Sequence, residues 1–287
     1  MTEIPAGRLK EYRRRTFRLS SDLSLKSVEE ALDFVNERGF VYLWPIKDAN
    51  LPNLWAAVAG ERPVADKHDD PGHVTWGWKD GMLDKRQWYY AKILRGKATM
   101  VALDIAPAFY ALSENYGDPE HDYLQLYEDG LLSREAKLIY ETLLREGPLD
   151  TVNLRRKIHM TGKASNSPFE RGLNGLQRDF KILPVSIAEA GAWRYSFVYD
   201  MVHRHYPELP EQARSIKRSQ ARQKLLALYF TSLGAATAAE ARKLFQWPKK
   251  DFDRTVEALV EGEKLRAGYQ VAGQSGDHFA LPELVEE

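Results

Sequence analysis

The strongest constraint on the fold is an internal repeat. One copy runs "SREAKLIYETLLREGPLDTVNLRRKIHM" and then "FERGLNGLQRDFKILPVSIAEAGAWRYSFVYD". The other runs "SQARQKLLALYFTSLGAATAAEARKLFQW" and then "DFDRTVEALVEGEKLRAGYQVAGQSGDHFALP". In each, a first helix stops at a glycine, Gly147 or Gly234, the residue that best tolerates the left-handed turn after a helix. A second helix begins at Asp150 and Thr151, or at Thr237, whose side-chain oxygens can accept the free N–H groups of a first turn. A third helix carries apolar residues at helical spacing: Phe169, Leu173, Leu176 and Phe180 in one copy, Phe252, Val256, Leu259 and Val260 in the other. Strand, glycine-containing turn and strand follow. Three helices and a β-hairpin are the winged-helix plan, in which helices two and three form a helix-turn-helix and the hairpin is the wing. The spacing therefore predicts an α+β, helix-rich fold built from tandem winged-helix units.

The rest of the 287-residue chain is arranged around that repeat. Residues 1–23 read as a basic N-terminal arm, mobile or lying on the surface. Residues 24–130 read as an aromatic-rich, winged-helix-like domain. It opens on "SLKSVEEALDFVNERG", where Ser27 stands before Glu29 and Glu30 at a helix start. The strand "GFVYLWP" follows, and a Gly96-Lys97 turn between two strands lies near the end. The two repeat copies occupy 131–202 and 219–287, joined by the Pro-containing connector 203–218.

Composition excludes several classes. No apolar run approaches the roughly 18 residues of a membrane span, and the start of the chain lacks the apolar stretch of a secretory signal. The absence of cysteine removes disulfides, thiolate metal sites and cysteine nucleophiles, and fits a cytoplasmic location. The scattered histidines have no carboxylate at helical spacing, so neither a metal nor a cofactor is expected. The formal net charge is +0, but the charge is segregated. Residues 1–18 hold six Lys/Arg against two acids, 150–181 hold seven against three, and 214–250 hold nine against one. Such blocks can build a positive face on a neutral protein, or they can be solvated helix faces.

A third helix that enters a major groove needs Arg, Lys, Asn or Gln on its outer face. The first copy offers Asn166, Ser167, Arg171, Asn174, Gln177, Arg178 and Lys181, with Arg171, Asn174 and Arg178 one turn apart. The second offers Lys249, Lys250 and Arg254, interrupted by Asp251, Asp253 and Glu257, and is the poorer reader. Winged helices also serve as protein-interaction modules, and the pattern alone leaves that open.

The stretches "ERGFVYLWP", "TWGWKDGMLDKRQWYY" and "YDMVHRHYPELPEQA", together with the repeat, resemble the AlkZ/YcaQ group of tandem winged-helix DNA glycosylases over roughly residues 25–280. That group is associated with alkylation damage and interstrand crosslinks. "WKD" and "FYALSENYG" bring the chain closer to an AlkZ-related branch without the group's Gln-x-Gln or Gln-x-Asp catalytic motif. The resemblance implies three winged-helix units around a positive concave surface for duplex DNA. It also implies hydrolysis of the N-glycosidic bond of an alkylated purine, with a carboxylate or carboxamide positioning water and stabilising a cationic sugar. Laid on this sequence, the catalytic positions fall on Tyr42 and Trp44, and neither side chain can play that part. An aromatic-Trp-x-His feature places Trp78 on its Trp and Asp80 where His would stand. The sequence also ends soon after the second hairpin, where the group continues into a β-rich segment.

Tyr42 and Trp44 alternate onto one strand face and would either pack in the core or line a cleft where a base stacks. Asp80 and Asp84 flank Gly81 beside Lys79, Lys85 and Arg86. Asp80 is the first candidate carboxylate if the chain is an enzyme, and a local ion pair or cap otherwise. Arg13, Arg14 and Arg15 read as a phosphate-binding arm or a solvated tail. The expectation is a monomeric, nucleoid-associated protein that binds duplex DNA, damaged DNA included, with altered or absent glycosylase chemistry. An active hydrolase using Asp80 and a non-enzymatic regulatory or interaction module are the alternatives.

Overall fold

The computed structural model describes residues 3–191 and 193–286. The chain begins with a short strand β1 (Glu3–Ile4) and helix α1 (Ala6–Thr16). A first unit then runs α2 (Val28–Arg38), β2 (Phe40–Tyr42), α3 (Leu54–Ala59), α4 (Val74–Gly81), β3 (Tyr89–Lys92) and β4 (Ala98–Val101). Helices α5 (Ala106–Tyr110) and α6 (Asp122–Glu128) lead to a second unit: α7 (Arg134–Glu146), β5 (Leu149–Asp150), α8 (Thr151–Lys157), α9 (Asn166–Arg178), β6 (Ile182–Ala188) and β7 (Ser196–Met201). Helices α10 (Val202–His205) and α11 (Leu209–Arg214) form the connector. The third unit is α12 (Arg218–Leu233), β8 (Ala235–Thr237), α13 (Ala238–Phe245), α14 (Lys249–Glu261), β9 (Arg266–Val271) and β10 (His278–Ala280).

All three units thus share one plan: helix, strand, two helices, hairpin. The sheet orders agree as well, β2-β4-β3, β5-β7-β6 and β8-β10-β9, with the last hairpin strand in the middle each time. This is a tandem winged-helix-like architecture, helix-rich with small sheets.

The local chemistry explains the starts and stops. Ser27 caps α2 by accepting the Glu30 N–H, and Asp150 caps α8 by accepting those of Val152 and Asn153. Thr237 and Glu240 form a reciprocal capping box on α13. Gly39 ends α2 at φ +78°, and a Cβ there would lie 2.8 Å from Leu228 Cδ1 of α12. The residue that turns the chain into β2 therefore also lets the third unit close on the first.

The N-terminal arm differs from expectation. β1 pairs in parallel with β9, Glu3 opposite Gln270 and Ile4 opposite Val271, and so extends the third unit's sheet to four strands. Ile4, Leu9 and Tyr12 are buried against Ala235, Val271, Ala280 and Leu284. The arm is an integral layer of the third unit because those apolar residues lie among the cations that dominate its sequence. The first two residues of the expected arm lie outside the described residues.

The units share apolar interior. Phe180, at the end of the second unit's third helix, stacks on Tyr89 of the first unit with ring centroids 4.5 Å apart. Phe40 of β2 meets Phe245 of α13 at 6.0 Å. These rings belong to one buried cluster that also holds Leu225, Leu226, Tyr229 and Phe230 of α12. The second unit keeps its own core around Ile139, Leu143, Leu154, Phe169, Leu173 and Leu176.

Candidate functional site

The strand on which the sequence places the expected catalytic positions is core at its first position. Tyr42 is 0% exposed, and its hydroxyl donates to the Leu94 carbonyl at 3.3 Å. Burial raises its phenol well above the ordinary tyrosine value. β2 ends there, so the expected alternation with Trp44 stops. Trp44 is half-buried instead, with its ring centroid 5.5 Å from that of Trp76 on α4. Its indole N–H has no hydrogen-bond partner among the described residues.

That contact leads to a polar cluster. Asp70 accepts the Gly72 N–H and caps a short 3-10 turn that runs directly into α4. Trp76, Lys79 and Asp80 stand at i, i+3 and i+4 and so share one helical face. Tyr195 reaches them from the β6–β7 loop of the second unit. Its hydroxyl accepts from Lys79 Nζ at 2.8 Å and from Trp76 Nε1 at 3.2 Å, and donates to Asp80 Oδ1 at 2.9 Å. Lys79 Nζ also lies 2.5 Å from Asp80 Oδ1. The ammonium sits among four rings, with centroids of Phe197, Trp76, Tyr195 and Tyr90 at 4.5, 5.0, 5.5 and 5.7 Å. These are cation–π distances.

Lys79 is 2% exposed, and desolvation holds its ammonium below the usual lysine range despite Asp80. Burial, with the Asp80 charge second, pushes the Tyr195 phenol far upward. The Tyr195 oxygen uses its one donor and both acceptor sites, so that group is saturated. Asp80 Oδ2 takes part in none of these bonds. Chemically, the cluster ties a carboxylate and the Trp76 indole to one phenol oxygen, and Trp44 joins it through its contact with Trp76 alone.

The other expected DNA-contacting residues divide into two groups. Gln177 is 1% exposed; it accepts the Lys92 N–H at 3.2 Å and donates to the Leu173 carbonyl. Lys181 is buried, with Nζ bonded to Asn115 Oδ1 at 2.7 Å and to the Glu114 carbonyl at 3.3 Å. Both serve contacts with neighbouring chain, because this end of α9 packs on β3 and on the loop before α6, and neither is available to a groove. Arg13 is likewise engaged, donating to the Leu233 and Ala235 carbonyls at 3.0 and 2.7 Å. Arg14 pairs with Glu11, and Arg15 stays exposed. Asn166 accepts from Arg155 at 2.6 Å, and Asn174 is half-buried with an unpartnered Oδ1. Arg171, Lys85, Arg86, Lys250 and Arg254 are exposed. Arg178 is exposed beside Asp179, and Lys249 pairs with Asp253. Asp84 is exposed and outside the cluster.

Two residues were not singled out by sequence. Tyr195 ties the wing to α4. Trp193, in the same loop, is 91% exposed beside Arg194. The signal was the run "AWRYSF", in which aromatics crowd a turn where polar residues are usual.

The fold and this site define the class as a tandem winged-helix-like protein whose first unit is clasped by the wing of the second. The chain belongs to the AlkZ-related family, which its sequence matches over residues 25–246. The DNA glycosylase AlkZ of Streptomyces sahachiroi shares the fold with a TM-score of 0.59 at 13% identity. The alignment covers 98% of this chain and 71% of that one. The sequence matches no curated protein. Among the described residues no helix is long and apolar enough to cross a membrane.

Proposed function

We propose that this protein binds duplex DNA, damaged duplex included, without the base-excision chemistry of the glycosylase motif. The observation that carries this is the fate of the motif positions. Tyr42 is a fully buried core residue bonded to a main-chain carbonyl, and Trp44 packs on Trp76. Neither brings a carboxylate or carboxamide to a sugar. The exposed cations Arg171, Arg178, Lys250 and Arg254 on two third helices support the binding half of the reading. Binding of this kind releases counterions, so affinity for plain, alkylated and crosslinked duplexes falls steeply as salt rises. Titrations across salt concentrations check this; no binding at low salt overturns it.

One observation favours a second reading, an N-glycosidic hydrolase built on Asp80. The fold joins Asp80 and Trp76 through the Tyr195 hydroxyl of the second unit's wing loop, and Trp76 in turn meets half-buried Trp44. Excision of alkylated purine from duplex by the wild-type protein decides between the readings. Asp80→Asn alone strands a buried ammonium, so the informative variant is Lys79→Met with Asp80→Asn, which removes both charges. Activity surviving in that double variant excludes Asp80.

A further inference from the structure

Chain ends from all three winged-helix-like units converge on one cleft of about 320 Å³. The first unit supplies the turn at Arg95 between β3 and β4, the second the end of α9 at Arg178 and Phe180, and the third the end of α13 at Gln246 and Trp247. Arg95, Phe180 and Gln246 each hold a left-handed backbone, at φ +53°, +55° and +56°. Such ends favour glycine, yet these three carry side chains, and all three line the cleft. The lining combines cations with aromatic rings. Arg95 is half-buried and donates only to the main-chain carbonyls of Lys47 and Asp48, at 3.2 and 3.0 Å, so its charge has no carboxylate partner among the described residues. Arg178 gives only its Nε, to Asp179 at 3.1 Å. The cleft thus holds two guanidiniums against the one carboxylate of Asp179. Half-buried Trp247 stacks on Phe245 with centroids 4.3 Å apart, and the Gln246 side chain is exposed beside it.

We infer that this cleft binds a single nucleotide, its phosphate held by the guanidiniums and its base by the aromatic lining. Arginine pairs with phosphate through charge-assisted, often bidentate hydrogen bonds. Aromatic side chains stack on any base, and a carboxamide such as that of Gln246 can both donate to and accept from a base edge. The volume lies at the small end of ligand pockets, which suits one nucleotide and not a strand. A free nucleotide and an unpaired nucleotide of DNA present the same chemistry. The inference stands apart from the duplex-binding reading, because a free nucleotide can be titrated with no duplex present.

The test is isothermal titration calorimetry of the full-length protein with 2′-deoxyadenosine 5′-monophosphate. Binding at one site is expected, about tenfold or more tighter than that of deoxyadenosine or inorganic phosphate, each of which offers half of the recognised chemistry. Gln246→Glu places a carboxylate in the cleft, and Arg178→Gln removes a cation from it. Each is expected to weaken binding about tenfold. Arg145→Gln, which removes a cation on α7 outside the cleft, is expected to leave binding unchanged. All three positions are exposed, and circular dichroism confirms the fold of each variant. Competition by a duplex with one unpaired nucleotide, and not by fully paired duplex, assigns the site to DNA; competition by neither assigns it to the free nucleotide. No binding of the monophosphate, equally tight binding of phosphate alone, undiminished binding by Gln246→Glu and Arg178→Gln, or equal competition by fully paired duplex overturns the inference.

Discussion

One phenol oxygen holds three groups in place at Tyr195, and the residue scale is where that arrangement can be dissected. Tyr195→Phe removes the acceptor for Lys79 and Trp76 and the donor for Asp80 at once. A hydrogen bond to a charged group contributes about 1.5–3 kcal/mol, so urea unfolding is expected to show a loss of that order. Asp80→Asn is expected to cost more, about 3–5 kcal/mol, because it leaves a buried cation unpaired. Lys79→Met is expected to cost less than Asp80→Asn, because the carboxylate it leaves keeps a hydrogen bond and is not fully buried. It places an apolar chain among four rings and leaves Asp80 its bond from Tyr195 and partial access to water. If Lys79→Met were the most damaging of the three, the cluster would owe its stability to the cation and not to the closed network. Trp193 makes the opposite case, since little of it is buried. Stacking on a base contributes about 1–3 kcal/mol, so Trp193→Ala is expected to weaken binding to duplex with an unpaired base by about 5- to 140-fold. The unfolding midpoint should not move.

At the scale of elements, α9 shows what periodicity reveals and what it hides. Its apolar face of Phe169, Leu173 and Leu176 was legible, and those residues are buried. Its polar residues were not sortable, because helical spacing distinguishes a buried face from an outer one but not solvent from a neighbouring unit. Gln177 and Lys181 therefore read as groove contacts although they seat α9 against other parts of the chain. Tyr195 was hidden for a related reason: it meets Asp80 across 115 residues of sequence, and no local pattern reports that. The arm misled by composition, its cations outnumbering the buried Ile4, Leu9 and Tyr12. The two glycines of α9 give a paired prediction. A Cβ on Gly172 would lie 3.0 Å from the Ala136 N and 3.3 Å from its Cα, so α7 backbone would have to move. Gly172→Ala is expected to destabilise by about 1–3 kcal/mol through overpacking. A Cβ on Gly175 meets nothing within 4 Å, and Gly175→Ala is expected to stabilise by about 1 kcal/mol through helix propensity. Chemical denaturation of both variants checks the signs, and equal effects would show that α9 does not press on α7 at this point.

At the scale of the molecule, shared aromatic interior links the units and makes one property collective. Burial raises the phenols of Tyr42, Tyr89, Tyr90 and Tyr110 in the first unit and just after it, the last to about 12. It does the same to Tyr140, Tyr199, Tyr206 and Tyr229 across the other units and the connector. An unfolded tyrosine ionises near pH 10. Above that value the unfolded chain releases protons that the folded chain keeps, so the unfolded state is favoured and stability falls as pH rises. Two lysines act in the other direction. Lys79 and Lys181 are held below the ordinary lysine value by desolvation, so up to about pH 10.4 the unfolded state binds more protons than the folded one, and their contribution to stability rises with pH. Those phenols, with that of Tyr195 added, outnumber the two ammoniums and leave a net loss above pH 10. Tyr89 and Phe180 join the first two units, and Phe40 and Phe245 join the first and third, so partial exposure of one unit uncovers rings of another. The buried tyrosines of that shared cluster, Tyr42, Tyr89, Tyr90, Tyr110, Tyr206 and Tyr229, are therefore expected to ionise together, in the same pH step that removes helical circular dichroism. A smooth rise of tyrosinate absorbance around pH 10 with the helical signal intact would mean that the phenols are reached without unfolding, and that the interior is not shared in the way these ring contacts require.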